Sequence, residues 1–175
     1  MKTISDLLNE LNYSCPIIDF TGSALNRKNY YGFDWFDRKV IELTDQLSEE
    51  GHKTVIVIDY AVSLLKDNED TVKLVKDHIN LNPHNPLLGP NDESKGPRFF
   101  SLNNLYEDPP ALQELCQASV LAGLCPIVEP NFQEKQILIQ AGATDYSYDL
   151  LPTALLLAHR GIKALGLVQS PSSEI

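Results

Sequence analysis

Few residues in this chain have the type and spacing to do chemistry. The four histidines, His52, His78, His84 and His159, stand far apart. Acid–base work needs a histidine within hydrogen-bond reach of a second polar group and of the reacting atom, and His78 lacks such a partner. His159 falls at the end of a helical pattern, where a cap role on the last carbonyls is expected. His52 and His84 read as exposed loop residues. The acidic pairs Glu49-Glu50 and Glu69-Asp70 read as solvated faces, so no metal ligands are assigned. Cys15, Cys116 and Cys125 are odd in number and widely spaced, which speaks against a disulfide framework or a zinc site.

The elements that must position any site follow from the apolar spacing. Ile4, Leu7, Leu8 and Leu11 mark a short amphipathic helix with Ser5 or Asp6 near its start. Pro16–Phe20 reads as a buried strand running into the small-residue turn Thr21-Gly22-Ser23-Ala24. Phe36, Val40, Leu43 and Leu47 share a helical face that Gly51 closes. Thr54–Ile58 is a β-branched strand buried on both faces, and Thr71–Val75 alternates as a half-exposed one. From His78 to Asn104 the chain is rich in Asn, Pro, Gly and Ser, as long functional or interface loops are.

Asp108 before Pro109 and Pro110 signals a helix carrying Leu112, Leu115, Cys116 and Val120. A strand at 124–128, a helix at 132–140, a strand at 144–148, a helix at 152–160 closed by Gly161 and a strand at 162–168 follow. Alternating strands and helices predict one α/β domain over residues 1–168, a three-layer arrangement with a mostly parallel sheet, and a flexible tail at 169–175.

Charge and hydropathy narrow the function classes. A net charge of -10 repels a polyphosphate backbone, so nucleic-acid binding is not expected. No apolar run reaches the roughly 18 residues of a membrane span, and Met1–Asp6 lacks the apolar core of a signal peptide. A cytoplasmic location and no membrane partner are expected.

Asp77-His78-Ile79-Asn80-Leu81, then Asn85-Pro86-Leu87-Leu88-Gly89-Pro90-Asn91-Asp92, then Gly96-Pro97-Arg98-Phe99 resemble the trimeric, low-molecular-mass purine nucleoside phosphorylase family. The likeness continues in order. Asn131-Phe132-Gln133 stands where that family has Ser-Phe-Glu, Ala141-Gly142-Ala143 precedes its ribose- and base-contacting strand, and Pro152 and His159-Arg160-Gly161 fall at matching distances. Ile17–Leu25 is similar to its first strand and phosphate turn. The resemblance implies a phosphorylase-like α/β fold lacking part of the family sheet and its C-terminal helix. It further implies a homotrimer in which Asn85, Arg98 and Phe99 reach a neighbouring subunit, and a structural role for His78.

The departures from the family pattern fall on its chemistry, in which inorganic phosphate attacks the anomeric carbon of a purine nucleoside. Gly22-Ser23-Ala24-Leu25-Asn26 keeps one glycine of the phosphate turn, leaving Ser23 as its candidate ligand. The family's second phosphate segment has no counterpart between Leu25 and Thr54. Ile58-Asp59-Tyr60-Ala61-Val62 replaces Asn-Ala-Ala-Gly-Gly, which places a carboxylate near the phosphate. Gln133 replaces the carboxylate that holds the purine, Tyr148 replaces a ribose-packing Met, and the expected Asn falls near Ser172.

The resemblance therefore implies a phosphorylase-like protein without turnover, with Ser23, Phe132, Gln133 and Tyr148 as candidate contacts to a purine nucleoside. No cofactor is expected, and inorganic phosphate would be a co-substrate only in an active protein. The rival reading is an altered phosphorylase in which Arg27 and Lys28 supply the phosphate charge. Tyr30, Tyr31, Phe33, Trp35 and Phe36 read as space-filling in place of the absent strands, with a nucleoside-stacking platform as the alternative.

Overall fold

The computed structural model describes residues 3–21, 30–32, 38–65, 71–83, 85–124 and 129–170. Its first helix, α1 (Ile4–Glu10), starts at Thr3, whose hydroxyl accepts the Asp6 amide while the Asp6 carboxylate accepts the Thr3 amide. This reciprocal box makes Thr3 the cap, in place of Ser5 or Asp6. Ile4, Leu7 and Leu8 then face inward and are buried.

Strands β1 (Ile17–Asp19), β2 (Tyr30–Gly32) and β3 (Thr54–Tyr60) pair in parallel, with β1 in the middle. Along β3, Val55 and Val57 enter one apolar layer and Ile56 and Ile58 the other. A strand of alternating β-branched residues thus serves both faces of the sheet at once. Helix α2 (Arg38–Glu49) closes at Gly51, whose φ of +79° lets His52 donate back to the Leu47 carbonyl at 3.1 Å.

The remaining strands are β4 (Val62–Ser63), β5 (Lys73–Asn80), β6 (Gln117–Gly123), β7 (Asp145–Ser147) and β8 (Lys163–Gln169). All eight form one sheet in the order β2-β1-β3-β8-β5-β6-β7-β4. Neighbours are parallel except at β5–β8 and β4–β7. Helix α5 (Leu150–His159) and α2 cover one face, where Ile18, Leu43, Leu47, Val55, Val57, Leu150 and Leu157 meet. Helices α1 and α3 (Pro110–Leu115) cover the other, around Leu7, Leu8, Ile56, Ile58, Leu74, Leu112, Leu165 and Leu167. Helix α4 (Phe132–Gln140) adds a small cluster of Leu138, Ala122, Ala143 and Tyr146. This is the expected three-layer α/β domain with a mostly parallel sheet.

Three elements depart from the sequence reading. Strand β5 begins at Lys73, buries its first three residues and runs on to Asn80, so His78 lies in a strand and not in the loop. Pairing with β6 as far as Asn80 carries the strand past His78, and β8 beside Lys73 and Leu74 covers its start. The helix at Asp108 shrinks to α3, capped from Pro109, while the Asp108 carboxylate pairs with Lys76. The strand read at 124–128 lies, beyond Leu124, outside the described residues, and Val120 belongs to a strand, β6, that the sequence reading did not place. Close packing supports β6, since a Cβ on Gly123 would lie 2.3 Å from Leu151 Cδ2. Sheet pairing overrides the helical spacing of Cys116 and Val120.

Candidate functional site

Where β3 ends, Asp59 turns its side chain toward the first turn of α5. The Asp149 and Leu150 amides donate to its Oδ2 at 3.1 and 3.0 Å. Asp149 is the N-cap residue of α5, yet its own side chain makes no cap hydrogen bond, so the helix is capped from a strand far away in sequence. Asp59 is 4% exposed, and burial pushes its pKa up to about 6 despite the amides of Leu150, Asp149 and Tyr60 and the Ser147 hydroxyl, which all favour the charged form.

Beside it, the Tyr60 hydroxyl donates to the Thr21 carbonyl at 3.3 Å, and Asp19 Oδ1 accepts the Thr21 amide and hydroxyl at 2.7 Å. The backbone is thereby pinned just before Gly22. Ser23, Arg27 and Lys28 lie outside the described residues, as do Phe33, Trp35 and Phe36, His84, Glu69, Asp70 and Cys125.

A second group forms around the start of α4. Asn131 caps this helix by accepting the Gln133 and Glu134 amides at 2.9 and 3.0 Å, and Glu134 returns a bond to the Asn131 amide. The cap fixes Phe132 and Gln133 in the first turn with both side chains exposed, Phe132 at 77%.

The Glu129 carboxylate accepts from Lys135 Nζ at 2.9 Å and from the Tyr146 hydroxyl at 3.0 Å. Lys135 Nζ also lies 5.6 Å from the Tyr146 ring centre. The bonds from Lys135 and Tyr146 lower the Glu129 pKa. Tyr148, at the end of β7, meets Tyr146 edge-on with ring centres 6.1 Å apart. Burial, then the negative charges of Glu129 and Asp59, raise its pKa.

The structure joins Tyr148 to Tyr146, Glu129 and Lys135, three residues that the sequence reading missed, while Phe132 and Gln133 stand exposed in the first turn of α4. Their signal was weak, because Glu129 precedes its helix and meets Lys135 only once the Asn131 cap has set the turn. Glu129, Lys135, Tyr146 and Tyr148 together offer ring faces, an ammonium and a carboxylate, groups able to meet a flat polar ring by its edge and face.

The loop residues form a different group. Asn85, Arg98 and Phe99 line one pocket of about 330 Å³ with Phe100, Leu155 and His159. Phe99 is 88% exposed, and among the described residues the Arg98 guanidinium reaches only the Gly89 carbonyl, at 3.5 Å. His159 does not serve the helix carbonyls as expected. Its Nε2 pairs with Asn91 Oδ1 at 3.0 Å, and the buried ring packs edge-on against Phe100. His78 packs against Tyr106 instead of facing either group, with ring centres 5.8 Å apart.

No protein-family model matches the sequence. A purine nucleoside phosphorylase of Anopheles gambiae is 36% identical over 99 residues, covering 55% of this chain and 26% of that protein. One of Mus musculus is 30% identical over 138 residues, covering 66% of this chain and 45% of that protein. Isoform 2 of purine nucleoside phosphorylase from Schistosoma mansoni, solved with cytosine and ribose-1-phosphate, superposes with a TM-score of 0.67 at 23% identity, over 76% of this chain and 52% of its own. A Schistosoma mansoni purine nucleoside phosphorylase solved with BCX-34 gives a TM-score of 0.69 at 16% identity, over 97% and 87%. By sequence and by fold, this is a divergent, purine nucleoside phosphorylase-like chain that spans under half the length of these curated relatives.

Proposed function

We propose that the chain has no phosphorolytic turnover and acts as a structural, regulatory or purine-binding module built on a phosphorylase-like scaffold. The observation that carries this reading is Asp59, whose buried carboxylate already takes two amides of the first turn of α5. A second anion there would meet a like charge at short range in a partly desolvated site, where repulsion is worth several kcal/mol. The rings of Tyr146 and Tyr148 beside the Glu129 carboxylate favour contact with a purine nucleoside over contact with phosphate.

The exposed Phe99 and Leu88, at 88% and 76%, support a homo-oligomer, a trimer, with Arg98, Phe99 and Asn85 at its contacts. The protein is proposed to work in the cytoplasm; no helix among the described residues is long and apolar enough to cross a membrane. The rival reading, an altered phosphorylase, keeps phosphate as co-substrate and draws on Ser23, Arg27 and Lys28.

A phosphate-dependent assay for release of hypoxanthine or guanine from inosine and guanosine, run beside calorimetric titration with the same nucleosides, separates the readings. The expected outcome is no phosphate-dependent release. Turnover abolished by Gln133→Ala and Ser23→Ala would establish the rival.

A further inference from the structure

We propose that the pocket of about 330 Å³ between the 85–102 loop and the end of α5 is a binding site for a small aromatic carboxylate. None of its lining residues belongs to the Asp59 or Tyr146 groups, so the proposal goes beyond the nucleoside reading above.

What the pocket can offer a ligand follows from which polar atoms are already engaged. The side-chain oxygen of Asn80 accepts the Asn82 amide at 3.1 Å, and that of Asn85 accepts the Leu87 amide at 2.9 Å. Each therefore has its Nδ2 hydrogens left to give. Asn91 is engaged on both sides, since its Nδ2 donates to Glu93 and to the Gly96 carbonyl while its Oδ1 takes His159 Nε2. The other ring nitrogen of His159, Nδ1, is buried out of a ligand's reach.

Among the described residues the Arg98 guanidinium has one long bond, to the Gly89 carbonyl, and no carboxylate lines the pocket. The side chains still open to a ligand are thus donors, and one of them is a cation. A group that only accepts and carries negative charge matches this set, as a carboxylate does. In a chain of net charge -10, a single negative charge is repelled less than a polyanion.

The rest of the lining is apolar. Leu155 is buried, while Leu102 and Phe99 keep apolar surface uncovered. A flat apolar body laid on them removes that surface from water. Ligand pockets run from about 300 to 1,000 Å³, so this one has room for one ring and its carboxylate.

The test titrates isotope-labelled protein with benzoate and with benzamide, its uncharged counterpart of the same shape, at constant ionic strength. Nuclear magnetic resonance follows the side-chain N–H signals of Arg98, Asn80 and Asn85. Wild type should bind benzoate saturably and benzamide at least about tenfold more weakly, the worth of one charge-assisted hydrogen bond. Arg98→Gln should bring benzoate down to the benzamide level. Leu102→Trp, which fills the pocket, should abolish binding of both. Both positions are exposed, so native circular dichroism is expected of each variant.

No saturable shift in wild type, equal binding of the two probes, or unchanged benzoate binding by either variant overturns the proposal. Because Arg98 and Phe99 are also the proposed contacts between copies, sedimentation is run on the same samples. A monomeric wild type that binds benzoate removes the trimer alone, and a trimeric one that does not bind removes this site alone.

Discussion

Asp59 holds its proton more firmly in the folded chain than a free aspartate does, because burial outweighs the hydrogen bonds that favour its charge. With the folded pKa raised from 3.8 to about 6, the native state binds more protons than the unfolded state between those values. The contribution of this group to stability is therefore full below the unfolded pKa and is lost as pH rises through the folded one. The loss is on the order of 3 kcal/mol for about two pH units. Asp59→Asn does not titrate, so the difference in stability between variant and wild type should shift in favour of the variant across this window. Urea unfolding at about pH 4 and about pH 7 checks it, and a pH-independent difference between the two proteins would refute the assignment.

The Asp45 carboxylate works in the opposite sense, with Lys95 and Arg160 lowering its pKa against the effect of burial. Arg160 has only 3% of its side chain exposed and is bound to Asp45. Asp45→Ala should leave that guanidinium with the Leu156 carbonyl alone and cost about 3 kcal/mol, read from the urea midpoint at unchanged m-value.

Between elements, the tightest join is that of the 85–102 loop to the end of α5. A Cβ on Gly96 would lie 1.8 Å from the His159 carbonyl oxygen, so Gly96→Ala must push the loop off the helix. A loss of about 1–3 kcal/mol is expected, with faster proteolysis confined to this loop. Uniform loosening of the whole chain would show that the contact is not local.

This join also marks what the sequence could reveal. Helix α4, strand β3 and the glycine stops at Gly51 and Gly161 were legible, because local period and turn chemistry decide them. The His159–Asn91 pair was not, since it depends on a loop folding back across 68 residues. Strand β6 was missed for a similar reason: its small residues carry no periodic signal, and pairing with β5 and β7 makes it a strand. Of the site, Phe132, Gln133 and Tyr148 could be picked out by resemblance, whereas Glu129, Lys135 and Tyr146 join Tyr148 only through side-chain geometry.

At the scale of the whole molecule, the exposed apolar loop sets the expected assembly. Phe99→Ser should lower the sedimentation coefficient at tens of micromolar protein by shifting a trimer toward monomer, while circular dichroism stays unchanged. A wild-type chain that sediments as a monomer at that concentration would remove the proposal.

The sheet order carries a consequence for synthesis. Strand β8, the last strand described, lies at the centre, with β1, β2 and β3 on one side and β5, β6, β7 and β4 on the other. A chain emerging from the ribosome can assemble each flank early, but no strand hydrogen bonds join them until Lys163–Gln169 has left the exit tunnel. Each flank meanwhile presents an unpaired inner edge at β3 or β5, so the nascent protein is most in need of chaperone cover just before its central strand arrives.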